Sequence, residues 1–417
     1  MNAPSHSPTT SESALEDHGL ASLTLAATWF DGRTTHEDQL HVDKFSVWRE
    51  IDLLPSAIAS SIPGMRAGDE AQGRLRAGET VGPWNHALSI VTQATRFDRH
   101  YRRGLDVPPR LGRFYPQGFL HSVNGIFKEA IAPFRIVDLT DGRLAADLNH
   151  PLARFDLTVK LRLDEVLPAY DRRGGRCVSS LDDLLKYPGF AAPLADGQDT
   201  DYGDDTDGMT RMDHRADAAF YAMSRMVQHL DSCALEKING LYRRLMPARA
   251  EVLDLMASFD SHLQGIQLRK LHVLGMNKEE LDANNTADHR VVQDLNESHA
   301  LPFDDASLDA IVCTASVEYL TRPSEVLNEA LRVLRPGGVL AITFSNRWFP
   351  TKAIRVWSEL HEFERLGMVT QWLNKAGFED LHTLSSRGWP RPADDRHGGE
   401  TPFSDPVYAA WGVKGGN

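Results

Sequence analysis

The sequence predicts a multi-domain protein in which a strand-rich α+β half is followed by an α/β half built on a mostly parallel sheet. The chain has 417 residues, more than one domain usually holds. Its first part shows short, alternating apolar runs separated by frequent turn residues, which is typical of strands. An acidic, glycine-containing stretch follows at 195–214 and reads ADGQDTDYGDDTDGMTRMDH. After it, helical and strand patterns alternate, as they do around a parallel sheet.

Composition narrows the classes of function. The chain is 41% hydrophobic and 25% charged, and its net charge of -13 disfavours nucleic acid and anionic membranes as partners. The cysteines Cys177, Cys233 and Cys313 are too far apart for a disulfide framework or a metal cluster, which fits a reducing compartment. The polar N-terminus has no apolar signal segment. We therefore expect a cytoplasmic protein with a disordered tail at 1–19, and no metal, nucleic acid or membrane partner.

The first half contains two segments that resemble one known family. These are IASSIPGMRAGDEAQGRLRAGETVG at 58–82 and DLNHPLARFDLTVKLRLDEV at 147–166. Both are similar to SlyD-like FKBP-type peptidyl-prolyl isomerases. The resemblance implies an α+β FKBP-like domain at 20–168, with an inserted flap domain at about 92–148 and a linker at 169–210.

Isomerase chemistry needs a dry aromatic pocket that strips water from the prolyl amide. Trp29, Phe30, Phe45 and Trp48 offer aromatic rings for such a pocket. However, the stretch LLPSAI has Ser56 where the family has glycine. The residues leave two interpretations open: a working isomerase, or a retained fold that serves as a structural or substrate-gating partner of the second half.

The second half reads as a series of strands, each followed by a turn or helix. EVLDLMASFDSHL predicts a strand, a turn and a helix, and KLHVLGMN and HRVVQDLNE predict two further strands with polar ends. LPFDDASLDAIVCTASVEYL and VLNEALRVLRPGGVLAITFSNRW predict the fourth and fifth strands, and DPVYAAWGVK one more. Before them, FYAMSRMVQHLDSCALEKINGLYRRLMP has helical spacing over 220–247.

This order, together with LPFDDASLDAIV and EALRVLRPGGVLAITF, resembles class I S-adenosylmethionine-dependent methyltransferases over 211–417. The resemblance implies a Rossmann-like domain with S-adenosylmethionine as cofactor. The first loop departs from the family because LDLMASFDSHL has no glycine. The cofactor carries no phosphate, so this loop does not need to form a glycine nest for an anion.

Cofactor contacts are expected at the carboxyl ends of the strands, where ligands of open α/β sheets lie. The resemblance assigns the first loop to the amino acid moiety, the second strand end to the ribose, the third to the adenine and the fourth to the methyl group. Arg225, from the preceding helix, would pair with the cofactor carboxylate. The predicted cofactor residues are Arg225, Asp254, Met256, Ala257, Ser258, Gly275, Met276, Asn277, Gln293, Asp294, Leu295, Asn296, Ser316 and Val317.

Methyl transfer needs an oriented acceptor and, for a weakly acidic one, a base or a stabiliser of its anion. The predicted catalytic candidates are Tyr221, His229 and Tyr319, with Arg347 just past the fifth strand to hold charge. We expect a small-molecule acceptor, with a small thiol or sulfide as one option; homo-oligomerisation is left open. The rival hypothesis is a peptidyl-prolyl isomerase or chaperone-type binding protein that carries a non-catalytic methyltransferase fold.

Overall fold

The computed structural model describes residues 13–168, 179–186, 193–194, 196–204 and 206–416. Its first half contains eight strands and three short helices within those ranges. The strands are β1 (Leu20–Phe30), β2 (Thr34–Ser46), β3 (Glu70–Leu75), β4 (Ser89–Gln93), β5 (Phe114–Pro116), β6 (Pro133–Thr140), β7 (Arg143–Asp147) and β8 (Leu157–Leu167). The helices are α1 (Val47–Glu50), α2 (Ser56–Ala59) and α3 (Ser180–Leu185).

Two sheets make up this half. β2, β1, β8 and β3 lie side by side, and β4, β7, β6 and β5 form a separate 4-stranded sheet. Three strands of the small sheet, β5, β6 and β7, fall within the range 92–148 that the sequence predicts as an insert, whereas β4 begins before it at Ser89. The likeness of this half to isomerases stays a prediction. Of the four aromatic residues proposed for an isomerase pocket, Trp29 and Phe45 are buried in the core and Phe30 is 59% exposed.

Residues 13–19 of the predicted disordered tail belong to the described structure. Residues 1–12 lie outside the described range, but Leu15 is buried, and its backbone pairs with Met65 and Gly64. An apolar side chain in an otherwise polar segment explains this, since Leu15 joins the core of the first half. The predicted linker is only partly described, and α3 within it packs against β1 and β2.

The second half contains seven strands and six helices within the described ranges. The strands are β9 (Glu251–Leu255), β10 (Lys270–Gly275), β11 (His289–Val292), β12 (Leu308–Thr314), β13 (Leu334–Phe344), β14 (Phe378–Arg387) and β15 (Val407–Lys414). The helices are α4 (Asp217–Phe220), α5 (Ser232–Leu245), α6 (Lys278–Ala283), α7 (Pro323–Val333), α8 (Arg355–Glu359) and α9 (Glu362–Ala376).

All the strands of the second half join one sheet in the order β11-β10-β9-β12-β13-β15-β14. β15 runs antiparallel to both of its neighbours, whereas the pairs from β11 to β13 are parallel. Counted within this half alone, the order is 3-2-1-4-5-7-6, the doubly wound arrangement in which the chain reverses direction between strands 1 and 4. Ligands of such sheets bind at this reversal, which lies between β9 and β12.

The sheet does not end at β14. β14 pairs in parallel with β2 of the first half, from Leu381 opposite Thr34 to Arg387 opposite Leu40, so that one 11-stranded sheet crosses both halves. Buried polar side chains line the junction: the His36 ring bonds Thr383 at 2.7 Å, and Ser385 donates to Asp38. The two halves therefore share a backbone hydrogen-bond ladder and cannot be described as separately closed domains.

The small sheet is attached to the second half by a buried ion pair. The side chains of Arg113 and Glu364 are 0% and 2% exposed, and Arg113 Nε donates to Glu364 Oε1 at 3.0 Å. The backbone N–H of Phe114 donates to the same oxygen at 2.8 Å. Because Glu364 lies in α9, this contact joins the insert to the methyltransferase-like half.

Two predicted helices are different in the structure. The helix expected over 220–247 begins only at Ser232, because Asp231 caps it by accepting from the Ala234 N–H at 3.0 Å. The residues before it form an irregular segment. The helix expected after β9 is absent from the described chain at 256–269. There Asp260 accepts from the His262 N–H, and Asn239 donates to the His262 carbonyl oxygen, which holds an open loop.

No helix within the described ranges is both long enough and apolar enough to cross a membrane.

Candidate functional site

A cleft lies at the carboxyl ends of the parallel strands, at the reversal between β9 and β12. It encloses about 850 Å³ of empty space, part of it open to solvent. Its lining residues all come from the second half: Asp217, Tyr221, Arg225, His229, Met256, Ala257, Ser258, Leu274, Gly275, Met276, Asn277, Glu280, Gln293, Asp294, Leu295, Asn296, Ala315, Ser316, Tyr319 and Phe349. The cleft thus collects most of the residues predicted to bind a cofactor.

The first loop has no glycine, but the neighbouring strand β10 ends in Gly275, which lets the loop lie close to it. A Cβ atom at Gly275 would lie 2.2 Å from the carbonyl oxygen of Ala257, so a side chain does not fit there. The Ala257 N–H donates to the Leu274 carbonyl oxygen at 2.7 Å and fastens the loop across the end of β10. Met256 adopts a φ of 60°, a conformation that non-glycine residues rarely take and that is frequent at ligand sites.

Asn277 and Glu280 line the cleft at the end of β10. Asn277 Oδ1 accepts from the N–H groups of Glu279 and Glu280, and its Nδ2 donates to the Tyr221 carbonyl oxygen at 2.8 Å. The Asn277 side chain therefore caps α6 and is not available to a ribose. The Glu280 carboxylate accepts from Ser258 Oγ and from the Arg225 N–H, both at 2.7 Å, and places a negative charge inside the cleft.

The end of β11 forms a polar corner of the cleft. Gln293 Nε2 donates to the carbonyl oxygens of Ser298 and Ala300, both at 2.8 Å, and so braces the loop. Asp294 Oδ1 accepts from the Asn296 N–H at 2.8 Å, which leaves its second oxygen for a ligand. Asn296 has a structural role as well, since its amide bonds Asp217 and the Tyr319 carbonyl oxygen.

A second part of the cleft, which we call its aromatic end, is lined by rings. The Phe349 ring lies 5.2 Å from the His229 ring and 6.0 Å from the Tyr319 ring, measured between centroids. The Phe349 N–H donates to the Tyr319 hydroxyl oxygen at 2.9 Å. The guanidinium of Arg225 lies 5.5 Å above the Phe349 ring and 5.9 Å above the Tyr221 ring. The cleft therefore has one polar and one aromatic end.

The ionisable groups at the aromatic end have shifted pKa values. Partial burial and the neighbouring Arg225 charge lower the pKa of His229, which keeps its ring neutral at neutral pH. Burial, followed by the charges of Asp217 and Glu318, raises the pKa of Tyr221. Burial likewise raises the pKa of Tyr319. Of the three predicted catalytic groups at this end, only His229 is suited to accept a proton, and the tyrosines remain donors.

The segment 221–230 covers the cleft, and we call it the lid. It is held by side chains of the cofactor loops: Gln228 donates to Asp260 at 2.7 Å, and Ser224 donates to Glu279 at 2.9 Å. Its outer face exposes Met223 and Met226, at 77% and 46%. Because Tyr221, Arg225 and His229 are on this lid, opening it would remove them from the cleft together.

Three predicted site residues lie outside the main cleft. Val317 is fully buried in the core. Arg347 points away, because Asp405 at 3.4 Å and His397 at 2.8 Å hold its guanidinium in a different cavity between the two halves. Asp254 is buried below the first loop, beside a smaller cavity of about 580 Å³ that shares Met256–Ser258 with the main cleft.

Burial raises the pKa of Asp254 to about 7, although a hydrogen bond from Ser261 opposes the shift. An unfolded aspartate titrates near 3.8, so the folded protein keeps a proton that the unfolded chain has lost between about pH 4 and 7. This contribution to stability therefore falls as pH rises through that window. As the pH rises from 4 to 8, we expect the free energy of unfolding of Asp254→Asn to increase by up to about 4 kcal/mol relative to that of the wild type.

Denaturant unfolding across this pH range tests the expectation. Glu318, whose pKa burial also raises to about 7, is present in both proteins and serves as an internal reference. Parallel stability curves for the two proteins would show that Asp254 ionises normally in the fold.

Five residues line the cleft that the sequence analysis did not select. They are Asp217, Leu274, Glu280, Ala315 and Phe349. An acid shortly after the Gly-Met-Asn strand end is a signal that points to Glu279 and Glu280, and the structure shows that Glu280 lines the cleft. Phe349 lies in SNRWFP past the fifth strand, where the sequence analysis favoured Arg347 instead. Asp217 and Ala315 have no such signal.

Within the described ranges, no group of three or more His, Cys, Asp or Glu side chains could hold a metal ion.

Comparison with known proteins finds a family match within the second half. Residues 256–342 match the family described as "Methyltransferase domain". The ubiquinone/menaquinone biosynthesis C-methyltransferase UbiE of Roseobacter denitrificans is 40% identical over 76 residues, 18% of this chain and 30% of that protein. A probable S-adenosylmethionine-dependent methyltransferase of Mycolicibacterium smegmatis is 36% identical over 103 residues, 24% of this chain and 40% of that protein. UbiE of Bartonella quintana is 32% identical over 154 residues.

The chain spans 30 to 52% of the length of these relatives. Among solved structures, an S-adenosylmethionine-dependent methyltransferase of Thermotoga maritima, described as a possible histamine N-methyltransferase, is 16% identical. The likeness covers 43% of this chain and 89% of that one, at a TM-score of 0.33, which is too low to support a conclusion by itself. The family match and the curated relatives show that the second half carries a methyltransferase domain, with S-adenosylmethionine as its cofactor.

Proposed function

We propose that this protein transfers a methyl group from S-adenosylmethionine to a small-molecule nucleophile. The observation that carries the proposal is the cleft at the strand reversal, which joins a polar end and an aromatic end in one cavity. Sites of this kind, apolar with a few converging polar groups, are typical of small ligands. The small thiol or sulfide expected from the sequence remains one candidate acceptor.

The residues of the polar end fit the cofactor. A ribose and an adenine amine both present hydrogen-bond donors. Glu280 in the first turn of α6 and Asp294 just after β11 supply carboxylate acceptors. Glu280 takes the role expected of Asn277, whose amide is committed to α6. The Met256–Ser258 loop, pressed onto Gly275, supplies backbone groups for the amino acid moiety.

The aromatic end fits an acceptor. When bound, the cofactor supplies an electrophilic methyl group, and the protein has to position a nucleophile and remove its proton. His229 is the candidate base, because its lowered pKa leaves the ring neutral. Tyr319 and Tyr221 stay protonated and can donate to developing negative charge.

We further propose that the first half is a structural partner of the methyltransferase domain. The residues that line the cleft lie between 217 and 349, so the first half does not shape the site directly. Its contribution is instead the strand β2 beside β14 and the Arg113 contact with α9. Its FKBP-like identity remains a proposal, based on the sequence resemblance.

Loss of either cleft carboxylate should weaken cofactor binding. We expect Glu280→Gln and Asp294→Asn each to lower the affinity for S-adenosylhomocysteine by about 10- to 100-fold, because each change removes a hydrogen bond to a charged acceptor worth about 1.5–3 kcal/mol. Calorimetric titration of the full chain measures the affinity, and thermal unfolding checks that the variants are folded.

Glu297→Gln is the matched control, since Glu297 is exposed beside Asp294 and does not line the cleft. Unchanged affinity in both cleft variants would place the cofactor elsewhere. A wild-type protein that binds neither S-adenosylmethionine nor S-adenosylhomocysteine would favour the rival hypothesis of a non-catalytic methyltransferase fold.

A further inference from the structure

The aromatic end of the cleft is built around one ring. Phe349 contacts the ring of Phe220 edge-on at 5.5 Å and that of His229 edge-on at 5.2 Å. It comes from the loop after β13, whereas Phe220 is the last residue of α4, just before the lid, and His229 belongs to the lid. Aromatic walls of this kind favour flat, aromatic ligands, which gain from stacked or edge-to-face contacts. A small aliphatic molecule would make fewer contacts of this kind.

The positive charge of Arg225 at this end disfavours cationic acceptors. Arg225 lies 4.8 Å above the Phe220 ring, and one of its nitrogens donates to the Phe220 carbonyl oxygen at 3.1 Å. The position over the rings that a cationic ligand would take is therefore already filled by a cation. A protonated amine placed over these rings would therefore meet the like charge of Arg225.

Proton removal also distinguishes acceptors. A small thiol already forms some thiolate near neutral pH, so it gains little from a base. An aromatic hydroxyl ionises near pH 10 and gains much more. The site provides a neutral imidazole at His229 and hydroxyl donors at Tyr221 and Tyr319, which is what an aromatic hydroxyl needs.

Building on the proposed function, we propose that the acceptor is a hydroxylated aromatic molecule that packs against Phe349 with its hydroxyl group facing His229. In the transfer, His229 takes the hydroxyl proton and an oxygen lone pair forms the new O–CH₃ bond. The electron pair of the broken S–CH₃ bond remains on sulfur, so the sulfonium charge disappears as the imidazolium charge appears. The products are an aryl methyl ether and S-adenosylhomocysteine.

The test uses the full chain with S-adenosylmethionine and five probes. Hydroquinone, 1-naphthol and 4-hydroxybenzoate represent the proposed class, benzylamine represents a cationic amine, and 2-mercaptoethanol represents a small thiol. Formation of S-adenosylhomocysteine and the mass of the methylated product report turnover. We expect methylation of at least one hydroxylated aromatic, and none of benzylamine.

Two variants test the geometry. Phe349→Leu should weaken binding of the hydroxylated probe to the S-adenosylhomocysteine complex by about three- to tenfold in a calorimetric titration. His229→Gln should lower kcat by about 100-fold or more and remove the loss of activity at low pH. Both should bind S-adenosylhomocysteine as wild type does. Phe403→Leu is the control, because Phe403 is 55% exposed and outside the cleft.

The outcomes separate this inference from the proposed function. Turnover of 2-mercaptoethanol without turnover of any hydroxylated aromatic would overturn the inference. Turnover of none of the probes by a protein that binds S-adenosylhomocysteine would overturn it too, and would leave the proposed function standing. A protein that does not bind S-adenosylhomocysteine would overturn both.

Discussion

Deletion of residues 1–195 is expected to leave a second half that does not fold into a soluble monomer. Without β2, the edge of β14 from Leu381 to Arg387 would be unpaired, and exposed edges of this kind promote aggregation. Glu364 and Ser385 would also lose the partners that satisfy them when buried, Arg113 and Asp38. Expression of residues 196–417 alone, followed by size-exclusion chromatography and circular dichroism, measures the effect.

Co-expression of residues 1–186 and 196–417 as two chains is the control. It retains the β2–β14 ladder and the Arg113–Glu364 contact while it cuts the backbone between them. We expect the two pieces to purify as one complex. A 196–417 piece that is soluble alone, unfolds cooperatively and binds S-adenosylhomocysteine would show that the shared sheet is not required.

Glu364→Ala should destabilise the full chain by about 3–5 kcal/mol, because it leaves the fully buried guanidinium of Arg113 without its main partner. Glu359 lies 3.9 Å away and cannot replace the lost hydrogen bonds. This loss is large beside the total stability of a typical domain, about 5–15 kcal/mol. Denaturant unfolding measures it.

Two controls show whether the effect is electrostatic. The double variant Arg113→Met/Glu364→Leu removes both charges, and it should recover most of the lost stability. Asp156→Ala removes the exposed pair of Arg74 and Asp156, whose side chains are 76% and 49% exposed, and the bond that Asp156 accepts from the Ala77 N–H, and it should cost far less stability than Glu364→Ala. Equal losses in Glu364→Ala and the double variant would assign the effect to packing.

Most residues of the cleft can be predicted from the sequence, because they lie at or near the ends of strands. Each apolar run of the second half stops at a small or polar residue, and parallel strands bring these ends to one edge. Gly275 and Asp294 are examples. The periodicity of 220–247 led to a wrong helix start, because helical spacing continues through the lid and only the cap at Asp231 marks the true beginning.

Other features of the structure could not be predicted, because they depend on contacts between residues far apart in the sequence. Arg347 follows the fifth strand as expected, but the buried Asp405, 58 residues later in the chain, draws its side chain away from the cleft. The pairing of β2 with β14 could not be predicted either, because the local sequence of neither strand indicates its partner. The role of Asn277 likewise depends on the lid carbonyl that its amide meets.

The shared sheet also has a consequence for synthesis of the chain. His36 of β2 meets Thr383 of β14, which is 347 residues later. Ribosomes add about 5–20 residues per second, so this edge of β2 waits for roughly 20–70 s before its partner strand exists. During that interval the nascent first half presents an open strand edge to the cell. We infer that folding in vivo is sensitive to chaperones that shield this edge, and to the rate of translation.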